Sequence, residues 1–312
     1  MRAAGVQTVR VAFYWDQMQP YPSFDQVPPE RAHLFENVNG VPTAFGFTDG
    51  VVAAAQAAGL RVMPVVLRTP SWATHNPLIP GSPPSETGRL ALKDYLKAMI
   101  HRYKPGGAIH MWQVFNEPNM LYAWRTNNPI GQYVRLLRAV YPAIKRADRH
   151  AKVVAAGMSA YSARALERVY AAGGRKFFDI AAIHPFRLTV AASMRVVRKA
   201  REVMDEHGDS RKPLLLSELS WTSAWGRMPH PSAISTTEMG QAKRVFKALR
   251  VFAGHRRALR IAGVFWSTWA SRETNETDAF DWAGLRRVTS DGTVVDKPAL
   301  LAFRAAARRI SR

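Results

Sequence analysis

Seven short apolar runs recur along the chain: Val6–Phe13, Arg61–Leu67, Ile109–Phe115, Lys152–Ala156, Asp179–Ile183, Pro213–Ser217 and Ile261–Phe265. Each is too short for a helix of ordinary length, and most are rich in Val and Ile. The apolar residues run continuously instead of alternating, as in strands buried on both faces of a parallel sheet. Parallel neighbours need a crossover of a dozen or more residues, usually a helix. The sequence supplies one after each run, at Asp49–Ala58, Leu90–Tyr103, Tyr133–Ala147, Ala163–Ala172, Ala192–Glu206, Thr237–Phe252 and Lys297–Ile310. In the second of these, Leu92, Leu96, Met99 and Ile100 share one face. Gly59, Gly173-Gly174 and Gly208 punctuate the helix ends.

Strict alternation predicts an α/β fold with helices covering a parallel sheet. An open doubly wound sheet collects its ligand at one switch point. Here nearly every run ends in polar or aromatic residues: Asn116-Glu117, Ser159, His184, Glu218 and Trp266. A TIM (β/α)8 barrel gathers the ends of all its strands at one mouth, and it fits better. That barrel needs an eighth strand. Ala3-Ala4-Gly5-Val6 looks like Ala57-Ala58-Gly59-Leu60, which is a helix end entering a strand. The chain therefore reads as starting inside its first βα unit, lacking the first strand. Either a further N-terminal piece belongs to the protein or another segment fills the gap.

At 312 residues and 47% hydrophobic content, one domain over residues 1–312 is expected. No linker or repeat interrupts it, and the Pro77–Ser85 stretch reads as a surface loop. The net charge of +21 favours polyanions in a salt-dependent way. The basic residues are scattered, so a specific nucleic-acid partner is not expected, while an acidic polysaccharide remains open. The absence of cysteine excludes disulfides and thiolate chemistry. His33, His75 and His101 lack ligand spacing, so neither a metal nor a cofactor is expected. No stretch is apolar enough for a membrane span, and Met1–Gly5 carries no signal-peptide core. The oligomeric state has no sequence signature.

Two carboxylates stand at strand ends, Glu117 in FNEPN and Glu218 in LLLSELSW. Pro118 bars a helix at Glu117 and gives no N–H to a ladder. A fixed carboxylate with an amide beside it suits acid–base work on a hydroxyl-rich ligand. Three strand–helix steps separate the pair, which in an eight-fold ring places them across the mouth. In these motifs, and along the whole chain from GVQTVRV to GLRRVTSDGTVVDKPAL, the sequence resembles the retaining glycoside hydrolases built on (β/α)8 barrels. The cellulase-like family 5 and family 39 are nearest in pattern.

The resemblance implies a carbohydrate substrate, cleaved by double displacement in a β-linked oligo- or polysaccharide. It makes Glu117 the acid/base and Glu218 the nucleophile. Asn116 would bind the sugar 2-hydroxyl, and Arg10 would neutralise and orient Glu218. His184 would sit near the nucleophile. Phe186 stands where relatives often carry a tyrosine, so that hydroxyl must be absent or come from elsewhere. Trp266 would stack under a sugar ring. Trp72 and Trp221, on loops after strands with Trp15, Trp124 and Trp225, offer further stacking faces, the alternative being loop packing. Trp112 reads as core. Glu273, Glu276 and Asp278 form an acidic loop after the last strand, which reads as solvated, the alternative being contact with substrate hydroxyls. A secreted or cell-envelope location is expected for the full-length protein. A catalytically inactive carbohydrate-binding barrel and a polyanion-binding protein are the alternative readings.

Overall fold

In a computed structural model, residues 1–79 and 81–310 are described; Pro80 of the Pro77–Ser85 stretch lies outside them. The chain divides into two compact units. One comprises Gln7–Met158 with Ala165–Ala181, and the other Met1–Val6 and Ser159–Arg164 with the described residues from Ala182 onward.

Among the described residues, the seven strands and seven helices that the apolar runs predicted alternate, with a short Trp15–Met18 helix, a hairpin of Glu36–Val38 with Val41–Thr43, and a small sheet of Ala270–Ser271, Arg286–Val288 and Val294–Asp296 besides. The strands are β1 Thr8–Tyr14, β2 Arg61–Leu67, β3 Met111–Val114, β4 Lys152–Val154, β5 Ala181–Ile183, β6 Leu214–Leu219 and β7 Ile261–Trp266. The helices are α1 Gly46–Ala57, α2 Glu86–Tyr103, α3 Pro129–Ala147, α4 Ser162–Ala171, α5 Val190–Glu206, α6 Glu238–Gly254 and α7 Pro298–Ile310.

In the first unit, β1, β2, β3 and β4 pair in that order, all parallel, with Thr8 opposite Arg61, Val65 opposite Gln113 and Met111 opposite Lys152. Its core layers buried Phe13, Met63, Val66, Trp112 and Val114 of the sheet with Leu92, Leu96 and Met99 of α2 and Leu137 and Val140 of α3. Trp112 is core, as its place inside a strand predicted. In the second unit the sheet order is β5, β6, β7, and β6 pairs parallel with β7. Val197 and Met204 of α5, Val245 and Phe252 of α6 and Leu300 of α7 are buried there with Leu214 and Leu216. Truncating any of these leucines to alanine removes about 2–5 kcal/mol of stability, since a packed interior cannot collapse into the space left. Among the described residues no eighth strand joins either sheet.

The helix starts follow from local chemistry. Ser85, Asn128, Thr189 and Thr237 each accept a hydrogen bond from the backbone N–H three residues on. Such caps contribute about 1 kcal/mol each by satisfying an orphan donor. The cap at Ser85 needs a glycine three residues later, because a Cβ on Gly88 would lie 1.9 Å from the Ala73 carbonyl oxygen. Gly5 and Gly59 both take left-handed values, φ 91° and 64°, just ahead of β1 and β2. The two AAG sequences thus share one local geometry.

Candidate active site

β3 ends where its backbone leaves the β region. The Phe115 N–H still bonds to Val66 O at 2.8 Å, but Phe115 has φ 62° and Glu117 has φ 46°. Left-handed backbone at a residue with a side chain costs about 1–3 kcal/mol and persists only where the surroundings fix it. The fixing groups are visible. The Phe115 ring packs edge-on against Trp124 at 4.8 Å, and Trp124 against Tyr133 at 6.1 Å. The Glu117 N–H donates to Gly157 O at 3.1 Å, just beyond β4, and the Met120 N–H closes a turn onto Glu117 O at 2.9 Å. Glu117 is only 6% exposed. The Tyr122 hydroxyl donates to its Oε2.

Arg10 on β1 clamps the residue beside it. Its Nε donates to Gln113 Oε1 at 2.7 Å and its Nη2 to Asn116 Oδ1 at 2.6 Å. Gln113 is fully buried, and its amide nitrogen donates to Ala155 O at 3.0 Å. Both amides are therefore oriented. With Oδ1 committed to Arg10, Asn116 presents its NH2 as a donor, which suits a sugar hydroxyl.

The second glutamate is presented differently. Glu218 lies inside β6, which runs two residues beyond the predicted end at Ser217. Leu216 pairs with Val264 and Leu219 with Trp266, and the register shifts between them. Such an irregularity re-aims the side chains it carries, here Ser217 and Glu218. The Glu218 side chain is 17% exposed in an otherwise buried strand. His184, fully buried just after β5, places Nε2 3.0 Å from Ser217 Oγ and 3.7 Å from Glu218 Oε1. The His184 ring packs against Phe186 at 6.0 Å, and Phe186 against Phe280 at 5.2 Å.

The tryptophans separate by burial. Trp266 closes β7, half-buried, with its indole N–H on Ala283 O at 2.9 Å. Trp72 is also half-buried, donating to Gln19 O at 2.8 Å and packing edge-on against Trp15 at 6.2 Å. Trp221 departs from the expectation of a stacking face. It is fully buried, its N–H bonds to Arg187 O at 2.8 Å, and Gln241 caps its carbonyl at 2.8 Å. It is a packing anchor for the loop after β6, as Trp15 and Trp124 are for theirs, while Trp225 is 61% exposed.

Glu273 is a further correction. The sequence placed it in a solvated acidic loop, yet its side chain is buried, 2.6 Å from Lys297, 2.7 Å from Arg227 and 3.2 Å from Arg287. Burial pushes the Lys297 ammonium below its ordinary range, and the Glu273 partner opposes that shift.

Three residues on or after the strands of the first unit were not among the sequence candidates. Gln113 carried a signal, as a polar residue inside an apolar strand. Tyr122 carried none, because a tyrosine in a loop shows no partner. Asp16, directly after β1, has burial pushing its carboxyl up against the pull of Arg68, and Arg68 stacks over Tyr14 at 4.3 Å.

The sequence profile of Cellulase (glycosyl hydrolase family 5) matches residues 1–181. No curated protein matches the chain. Among solved structures, a family 39 glycoside hydrolase from the gut symbiont Bacteroides cellulosilyticus WH2 superposes with TM-score 0.72 at 20% identity, over 98% of this chain and 59% of that one. A glucosidase from Croceicoccus marinus gives 0.71 at 15% identity, over 99% and 62%. Two fungal β-1,4-galactanases are similar at 0.66 and 14% identity, over 97% and 89%. The chain spans about three-fifths of the length of the first two. Likeness at these identities shows the fold, which is α/β of the TIM (β/α)8-barrel class.

Proposed function

The chain belongs to glycosyl hydrolase family 5, the cellulase family, and from that membership we propose that it hydrolyses β-linked oligo- or polysaccharides with retention. In this reading residues 1–312 form one catalytic domain, and Glu117 and Glu218 act as its acid/base and its nucleophile. Retaining enzymes hold two such carboxyls about 5–5.5 Å apart, which leaves no room for an intervening water.

Glu218 attacks the anomeric carbon as the glycosidic C–O bond breaks, and the leaving oxygen takes the proton of Glu117. Water then attacks the glycosyl ester. Glu117 takes the water's proton, and Glu218 departs as a carboxylate. The observation that carries this reading is the immobilised FNEPN turn. A buried carboxyl accepts from the Tyr122 hydroxyl, its residue's backbone N–H is tied to Gly157 O, and the amide beside it has its acceptor side locked by Arg10. That leaves the Asn116 NH2 to bind the 2-hydroxyl, a contact that strengthens as charge develops on the sugar ring. His184, held by Ser217, stands 3.7 Å from the Glu218 carboxylate and orients it. Trp266 and Trp72 offer aromatic bodies to sugar faces. No helix among the described residues is long and apolar enough to cross a membrane. A polymeric glycan substrate would place the enzyme in the envelope or outside the cell.

Turnover of a panel of 4-nitrophenyl β-glycosides tests the activity, with proton NMR of the first-formed sugar. A β-anomeric first product supports retention, an α-anomeric one sinks it, and binding without turnover leaves a carbohydrate-binding barrel.

A further inference from the structure

The basic residues are scattered along the chain, but the second unit gathers a group of them. Helices α6 and α7 bury a shared core of Val245 and Leu249 with Ala299, Leu300 and Ala306, so their outer faces lie side by side. Lys243, Lys247 and Arg250 follow one another at helical spacing on the outside of α6, all exposed. Arg256, Arg257 and Arg260 continue, exposed, from its end to the start of β7, and Arg308 and Arg309 do so at the end of α7. The cations of the two helices meet at one ring: Arg250 and Arg309 both lie over Phe246, 5.5 and 5.4 Å from its centre.

No carboxylate offsets this ridge. The sequence has no Asp or Glu between Met239 and Arg272, nor between Lys297 and Ile310. The flanking carboxylates are spent. Glu238 pairs with Arg227 and Arg287 at 3.1 and 3.0 Å, and Asp296 with Arg286 and Arg304 at 2.7 and 3.5 Å. Among the described residues none of the ridge cations forms an ion pair. Like charges so placed repel one another, and an anionic partner removes that cost. The neighbouring side chains say which partner. Between Lys243 and Gly254, and between Pro298 and Ile310, every polar side chain is Lys or Arg. A sugar hydroxyl finds no acceptor there. The rings of Phe246 and Phe303 pack against the core, which leaves no open face for a base or a sugar to stack on. What stands free beside the cations is aliphatic: Leu301, 61% exposed on the helical face of Arg308, and Ile310, 37% exposed next to Arg309. Cations interleaved with exposed aliphatic groups suit the headgroup layer of an anionic bilayer.

We propose that this ridge docks the protein on an anionic phospholipid bilayer, with Lys and Arg on the headgroup phosphates and Leu301 and Ile310 at the acyl boundary. The inference does not rest on the glycosidase reading. Arg260 and Trp266 stand at opposite ends of β7, about 20 Å apart at ~3.3 Å per residue, so docking leaves the Trp266 end free. Co-sedimentation of the whole chain with vesicles of phosphatidylcholine, alone or with roughly one-third phosphatidylglycerol, tests it. The mixed vesicles should bind the protein at low salt and release it as salt rises, and phosphatidylcholine alone should not bind it. Lys243→Gln, Lys247→Gln and Arg257→Gln together should weaken binding about tenfold or more. Arg61→Gln, Lys152→Gln and Lys176→Gln together remove as much charge from exposed positions of the first unit, and should weaken it less than about threefold. Leu301→Ser should weaken it about threefold. All these positions are exposed, and matching thermal melts check that the variants fold. Equal losses in the two triple variants, an unaltered affinity in Leu301→Ser, or no binding to the mixed vesicles would overturn the proposal. So would tighter binding to polygalacturonate or duplex DNA at equal charge concentration, which would make an acidic polymer the partner.

Discussion

The two glutamates are held by opposite means. Glu117 sits on distorted backbone, with left-handed residues at 115 and 117, and its surroundings hold the chain in that shape. Glu218 stays within its strand and is steered by side-chain neighbours, His184 and Ser217. The same contrast holds further out. On the Glu117 side, an ion pair of Asp49 with Arg102, half open to solvent, ties α1 to α2 at 2.6 Å. On the Glu218 side, the loop between β7 and α7 is pinned by the fully enclosed pair of Glu273 with Lys297. A rim built by backbone strain should be chemically forgiving and conformationally brittle. A rim built by buried charge should show the reverse.

The largest effect should fall on the carboxylates. Glu218→Ala should remove turnover by ~10⁴-fold or more, as loss of a nucleophile does. Glu117→Ala should retain slow cleavage of 2,4-dinitrophenyl glycosides, restored by azide, because a good leaving group needs no proton. Equal behaviour of the two variants would erase the distinction between their roles. Next comes Glu273→Gln. It strands the buried Lys297 ammonium and should lower stability by about 3–5 kcal/mol, read from denaturant unfolding. A loss below about 1 kcal/mol would mean that the pair is not enclosed in solution.

Tyr122→Phe should reduce kcat about tenfold, because the Glu117 carboxyl loses the hydroxyl that orients it. An unchanged kcat would show that the turn alone positions the acid/base. The smallest effect is expected at Asp49. Its carboxyl is held below the ordinary range, chiefly by hydrogen bonds from Arg102, with Tyr103 adding to them against burial. A folded-state value below the unfolded one contributes stability that is present above the unfolded value and lost as pH falls through the folded one. Solvent screening keeps the contribution below about 1 kcal/mol. Asp49→Asn should therefore lower Tm slightly at neutral pH and match the parent in strong acid. A difference that persists in acid would assign the effect to packing.

Strands β2 to β6 were legible because most of their residues are buried, so apolar content alone marked them, while β1 and β7 are only partly buried. Their ends were less so. β3 stops at Val114, one residue before the predicted end, because Phe115 turns left-handed, which no propensity of phenylalanine announces. β6 continues past Ser217 because Leu219 pairs with Trp266 beyond the register shift that spans Ser217 and Glu218. Glu273 looked solvated because its partner Lys297 lies 24 residues away. A buried ion pair has no local signature. Trp221 and Trp225 were equivalent as sequence, and only the fold buries one and exposes the other. The candidate carboxylates were readable from the motifs around them, whereas Tyr122, which bonds Glu117, and Gln113, which holds Arg10, depend on contacts that the chain makes only when folded.

The left-handed turn at Phe115–Glu117 also bears on how such a sequence would drift. Glycine is the residue this backbone accepts most readily at position 117, and it is also one that cannot carry a proton. Selection for the reaction and selection for a relaxed chain therefore pull on one codon in opposite directions. In a lineage where the first pressure lapses, this is a place for change to settle early, and a homologue with glycine there would be a barrel that had kept its architecture and given up its chemistry.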